Sequence, residues 1–232
     1  MGDKNGVGHR RPRGRASGNT SKNSPGAGFG RLAGELAATG RDFYARGWVQ
    51  GTSGNFSAVL SQEPLRLVLT ATGLDKRTLV PEQFLEIDAA GNVLRGTGRP
   101  SSETRIHLAI VRERNAGAVL HTHSIWNTIL SEARGADGIA LEGYEMLKGL
   151  DGVRTHEHSE WLPILENSQD MAALTKTVEA ALRQYPAAHG LLLRRHGLYT
   201  WGRNLAEARR HVEIFEFLME VLGRQQNAPS AR

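Results

Sequence analysis

Cysteine is absent from the 232 residues. That excludes disulfides and thiolate metal ligands, so any bound metal must be held by His, Asp or Glu. It also accords with a reducing compartment, and a cytoplasmic location is expected. Long hydrophobic runs are missing too. Nothing approaches the roughly 18 consecutive apolar residues that a membrane-spanning helix requires, so a soluble protein with no membrane partner is expected. No Rossmann or P-loop glycine fingerprint, internal repeat or interdomain linker is seen. The length suits a single catalytic domain with enough residues to bury a real core.

The formal charge is +5, and Arg10, Arg11, Arg13 and Arg15 alone carry four of those charges. They sit in an N-terminal stretch rich in Gly, Arg, Ser and Asn that has no apolar signal region. Such a composition buries too little apolar surface to offset its ordering entropy, so residues 1–28 read as a disordered tail and 29–232 as the catalytic domain. Without the tail the chain is nearly neutral, and no nucleic-acid partner is expected.

Apolar positions recur at helical spacing over residues 29–46, and Gly47 supplies a stop. Three short runs rich in Val, Leu and Ile follow, "NFSAVL", "LRLVLT" and "FLEID". Turn residues separate them, which predicts an antiparallel meander. "SSETRIHLAIVRER" reads as a helix with Ser101 or Ser102 as N-cap and acids in its first turn, leading into the strand "AGAVLHTH". A helix "SIWNTILSEA", a strand "WLPIL", a strongly periodic helix "SQDMAALTKTVEAALRQY", a strand pair "HGLLLRRHGLYTW" and a closing helix over 204–224 complete the pattern. The fold class is α/β, a central sheet with helices covering its faces.

His121 and His123, at i and i+2 near the end of a predicted strand, leave the same face and could grip one ion. Alone they could equally be two exposed or hydrogen-bonded histidines, so a third ligand must decide. The candidates are His156 and His158 in "THEHS", which could also be loop residues or substrate contacts, and His196 in "RRHG". Position favours His196, because the apolar run Leu191 to Leu193 should deliver it to the sheet edge beside the first pair. Three neutral imidazoles leave a coordination position open, as in catalytic zinc sites.

Three polar turns precede or flank this pair: "GTSGN" (51–55), "TATGLDK" (70–76) and "PSSE" (100–103). Each could offer backbone N–H groups and hydroxyls to an anion, or serve as an ordinary turn or cap.

Taken in order, these pieces resemble the class II aldolase family, which includes L-fuculose-phosphate aldolase and ribulose-phosphate 4-epimerase. The resemblance spans roughly residues 29–223. It implies a three-layer α/β/α fold with a mainly antiparallel sheet, one Zn²⁺ per subunit on His121, His123 and His196, and a sugar phosphate as substrate. The phosphate contacts it implies are Gly54, Asn55, Thr72, Gly73, Ser101 and Ser102. A homotetramer is also implied. The segments "EGYEMLKGL", "THEH…PILEN" and "RRHGLYTWG" are similar to a dehydratase subgroup whose acid/base Glu lies in "E-M-x-K-G", here Glu145. Aldolases of the family use the Glu of "PSSE", here Glu103. Both residues are therefore catalytic candidates, and a dehydratase and an aldolase or epimerase are both open. Glu103 could alternatively stabilise its own helix end, and Glu145 could be a solvated acid on a short helix.

Overall fold

The computed structural model describes residues 1–2, 25–132 and 137–226. The basic stretch that reads as a tail lies almost wholly outside the described residues. Helix α1 (Pro25–Ala45) opens the domain, a turn earlier than the predicted start at Phe29.

The meander forms as β1 (Asn55–Gln62), β2 (Leu65–Thr70) and β3 (Phe84–Asp88), extended by the short β4 (Val93–Arg95). Then come α2 (Thr104–Arg114), β5 (Ala118–Thr122) and α3 (Ile125–Leu130). After them lie β6 (Gly138–Glu142) and a 3-10 turn at Glu145–Gly149. The chain closes with β7 (Ser159–Leu165), α4 (Met171–Gln184), β8 (Gly190–Leu193), β9 (Gly197–Gly202) and α5 (Leu205–Gln226). The nine strands make one sheet in the order β4-β3-β2-β1-β5-β9-β8-β7-β6. Every adjacent pair is antiparallel except β7 with β8.

The period-2 alternation of the strands sorts side chains into the two faces. On β5, Val119 joins a core that α2 and α4 cover, with Ile106, Ile110, Leu174 and Val178. Ala118 and Leu120 point the other way, into a core built with α1 and the start of α5, including Leu36, Phe43 and Val212. A third cluster sits under α3 and the second half of α5. Helices thus cover both faces, the three-layer arrangement the family resemblance implies. Because His121 and His123 share the parity of Val119, and Thr122 does not, the end of β5 and the residue just past it send two histidines to one face of the sheet. Thr122 turns to the other, where its hydroxyl donates to Glu216 of α5 at 2.7 Å.

Ser101 does not cap α2 by the predicted route. The helix begins at Thr104 with Glu103 in the cap position and no side-chain cap bond. The Ser101 hydroxyl instead accepts from the Glu103 N–H at 3.2 Å. The Glu103 carboxylate is therefore not spent on its helix end.

Candidate active site

β1, β5 and β9 lie side by side at the sheet centre, and their ends converge. In register, Asn55 faces His121 across β1 and β5, and His121 faces Tyr199 across β5 and β9. The turn between β8 and β9 returns His196 to the same spot. Gly197 makes that possible, because a Cβ there would meet the Thr122 carbonyl oxygen at 2.0 Å. Gly54 plays the matching part on the other side: it holds φ +74°, and a Cβ would lie 2.7 Å from the His121 carbonyl oxygen. Both positions exclude side chains so that backbone can press against the histidine strand.

The three imidazoles meet nitrogen to nitrogen. His123 Nε2 lies 2.8 Å and His196 Nε2 3.4 Å from His121 Nε2. The ligand atoms of all three fall within 4.8 Å of one another. His121 Nδ1 donates to the Leu198 carbonyl at 2.9 Å, which places its proton on Nδ1 and leaves the Nε2 lone pair facing its neighbours. Burial and neighbouring imidazoles push His121 down to about 3, and His123 is driven lower by the same causes. Neutral rings with convergent lone pairs are what a borderline divalent cation requires. The donor set therefore fits a metal, and three histidines without a thiolate fit zinc in a catalytic rather than a structural site.

Glu103 stands against this triad. Its Oε1 is 3.2 Å from His196 Nε2 and its Oε2 3.7 Å from His121 Nε2. The side chain is only 12% exposed. Burial alone would raise its pKa, but the His121 and His196 imidazoles and the Asn55 amide outweigh burial and hold it well below the usual carboxylate range. Tyr199 stacks on His121, ring centroids 3.8 Å apart and planes 10° apart, and locks that imidazole in place.

A polar cavity of about 220 Å³ adjoins the triad, lined by Gly54, Asn55, Thr72, Gly73, Ser101 and Ser102 together with Glu103 and His123. All six residues expected to contact phosphate thus share one space. Asn55 is the exception in orientation. Its side chain is engaged by Glu103 and His107.

Two residues escaped the sequence reading, Lys76 in the cavity lining and His107, which backs Asn55 from the core. Lys76, inside the quoted turn "TATGLDK", is 1% exposed and donates to the carbonyls of Thr52 and Leu74 at 3.1 and 2.8 Å. Burial lowers it to about 8, against the opposing pull of Asp75. A basic residue in a Gly-rich polar turn was the available signal. His107 gave none, since a histidine on an amphipathic helix looks like any core-facing polar residue.

Glu145 lies elsewhere. Its side chain is 72% exposed, Lys148 Nζ is 2.6 Å away and His156 Nδ1 3.9 Å, and it does not line the cavity. His158 donates to the buried Glu160 at 2.9 Å. Neither His156 nor His158 joins the triad.

Residues 34–222 match the family described as Class II Aldolase and Adducin N-terminal domain. The chain belongs to this family. Among similar members, the methylthioribulose-1-phosphate dehydratases of Pseudomonas savastanoi pv. phaseolicola and Pseudomonas aeruginosa (strain LESB58) are each 43% identical over 191 residues. Those alignments cover 82% of this chain and 93% and 92% of the two relatives. Among solved structures, YgbL from Escherichia coli superposes with a TM-score of 0.72 at 26% identity, covering 87% of this chain and 92% of its own. An L-fuculose 1-phosphate aldolase gives 0.70 at 22% identity over 87% of this chain and 90% of its own, a likeness of fold. No helix among the described residues is long and apolar enough to cross a membrane.

Proposed function

We propose that this chain is a cytoplasmic, zinc-dependent methylthioribulose-1-phosphate dehydratase of the methionine salvage pathway. It removes water from 5-methylthioribulose 1-phosphate to give 5-methylthio-2,3-diketopentyl 1-phosphate. The observation that carries this reading is the 43% identity to dehydratases over 82% of the chain, and the convergence of triad, carboxylate and polar cavity supports it.

The cavity would seat the C1 phosphate on the N–H groups and hydroxyls of Gly54, Thr72, Gly73, Ser101 and Ser102, with the Lys76 ammonium supplying positive charge. That anchors the substrate with C2 and C3 at the triad. A zinc ion on His121, His123 and His196 would polarise the C2 carbonyl and acidify the C3 proton. The reaction then needs a base to take that proton and an acid to protonate the C4 hydroxyl as it leaves. The enol left at C3 tautomerises to the diketone.

Glu103 is held against the triad and accepts from the Asn55 amide. We assign it the role of a fixed anion that orients the triad and the substrate hydroxyls. The shuttle is assigned to Glu145, as the dehydratase resemblance implies. Its carboxylate is exposed on its own chain, so it would reach substrate across a contact between copies, which the homotetramer expected for the family would provide.

The second reading is a class II aldolase or epimerase acting on a fuculose- or ribulose-type phosphate, favoured by the Glu103 carboxylate at the triad and by the shared fold. Incubating the purified protein with 5-methylthioribulose 1-phosphate separates the two. The dehydratase forms the diketone, a chelator abolishes it and added zinc restores it. Release of a two- or three-carbon fragment, with no diketone, would overturn the proposal.

A further inference from the structure

Behind Glu103 runs a buried chain of polar side chains that no part of the reaction uses directly. His107, on α2, is fully buried. Its Nδ1 is 2.8 Å from Ser57 Oγ, and its Nε2 bonds Asn55 Oδ1. Asn55 in turn donates from Nδ2 to Glu103 Oε2. The ring packs edge-on against Tyr199, the residue that stacks on His121, with centroids 5.9 Å apart.

The direction of each bond follows from what the groups can offer. Asn55 presents Nδ2 to Glu103 Oε2, and an amide nitrogen only donates. That leaves Oδ1, an acceptor, facing His107. Nε2 must then carry the imidazole proton. A neutral ring has only one, so Nδ1 is bare and the Ser57 hydroxyl donates into it. The polarity runs one way from Ser57 to Glu103, and the histidine tautomer is its fixed point. With the proton on Nδ1, Asn55 Oδ1 would face a lone pair. The amide would flip, and its oxygen would face the Glu103 carboxylate.

We propose that His107 is a positioning residue whose Nε2–H tautomer holds the Asn55 amide with its N–H toward Glu103, and thereby fixes the Glu103 carboxylate at the histidine triad. The inference rests on the proposed catalytic site for its consequence on turnover, but not for the tautomer itself. Partners that orient a site's inner residues characteristically change activity by about 10–100-fold when removed.

The first measurement is nitrogen-15 NMR of the zinc-loaded full-length chain labelled at histidine, which distinguishes protonated from bare ring nitrogens. His107 should show a protonated Nε2 and a bare Nδ1 across neutral pH. The opposite tautomer overturns the proposal whether or not the chain is a dehydratase.

The second is kinetic. His107→Leu should lower kcat by about 10–100-fold and leave KM within about threefold. His107→Gln, whose amide can donate where Nε2–H does, should recover most of the loss. In an Asn55→Ala background His107→Leu should cost little more, because the residue it orients is already gone. Equal losses in both backgrounds would reduce His107 to a packing residue and overturn the assignment. Should His107→Leu fail to fold, the NMR result and the Gln variant decide. Absence of diketone formation by the unaltered chain would count against the proposed function and leave the tautomer assignment standing.

Discussion

Of the three proposed ligands, His121 has most to lose. It is fully buried, its Nδ1 proton is committed to Leu198, and Tyr199 covers its face. His121→Ala should strip one of three imidazoles from the ion and remove several kcal/mol of charge stabilisation, a loss of about 10³-fold or more in turnover. Zinc content, measured by atomic absorption, should fall with it. A variant that keeps near-normal turnover would refute the metal assignment. Glu145→Gln should depress turnover by orders of magnitude with zinc content unchanged. If turnover holds, and Glu103→Gln abolishes it, the shuttle belongs to Glu103.

Lys76 makes the same site sensitive to pH. A phosphate monoester is already a dianion above about pH 6, so a loss of affinity at higher pH reports the protein. Burial lowers Lys76 to about 8, so KM should climb as pH rises through 8, while Lys76→Arg should flatten the profile because its charge persists. The effect on stability has the opposite sign. Burial penalises the ammonium at every pH below 8, and the penalty is relieved as pH rises from 8 toward the ordinary lysine value near 10.5.

At the scale of elements, a buried acid of α5 accepts from β5, the strand that carries His121. Glu216 accepts from Thr122 at 2.7 Å and from Asn127 at 2.8 Å, joining α5 to β5 and α3. Its Oε2 is buried with no hydrogen-bond partner. Burial raises its pKa to about 7, against hydrogen bonds that lower it. The folded protein therefore holds a proton that the unfolded chain releases near 4.5. Folding is favoured at low pH on this account, and that advantage is lost as pH rises from 4.5 to 7. Glu216→Gln keeps the acceptor oxygen without the charge. It should raise the melting temperature at pH 8, by the equivalent of about 2 kcal/mol, and change it little at pH 5. Equal shifts at both values would remove the ionisation argument.

The same elements show what the sequence made legible. The long helices and the central strands could be read because each buries one face, and burial writes a 3.6- or 2-residue period into the chain. The three-residue β4 is exposed at the sheet edge and β6 is short and partly exposed, so neither left a period to find. Histidine spacing likewise indicated the triad, since His121 and His123 lie two apart at the end of one strand and His196 sits in the turn that follows another. The Ser57–His107–Asn55 chain stayed hidden because its members come from two elements about fifty positions apart, joined by side-chain bonds that carry no sequence signature.

For the whole molecule, the basic N-terminus and the assembly raise separate questions. α1 begins at Pro25, so a chain lacking residues 3–24 keeps every described helix and strand. It should retain full turnover, and a large loss would give the Arg-rich stretch a catalytic part. Assembly bears on Glu145. If that carboxylate serves a neighbouring copy, one functional site needs an intact triad from one subunit and an intact Glu145 from another. His121→Ala and Glu145→Gln proteins, each nearly inactive, should then complement when unfolded together and refolded as a mixture. In a random mixture half the sites have an intact triad, and half of those face an intact Glu145, so recovered turnover should approach about a quarter of the unaltered protein. A carboxylate acting on its own chain's triad gives no such recovery, because every chain in the mixture carries one defect. Turnover that stays at the level of the separate variants, with both proteins assembled and folded, would place the shuttle within the subunit and require the Glu145 segment to close over its own triad.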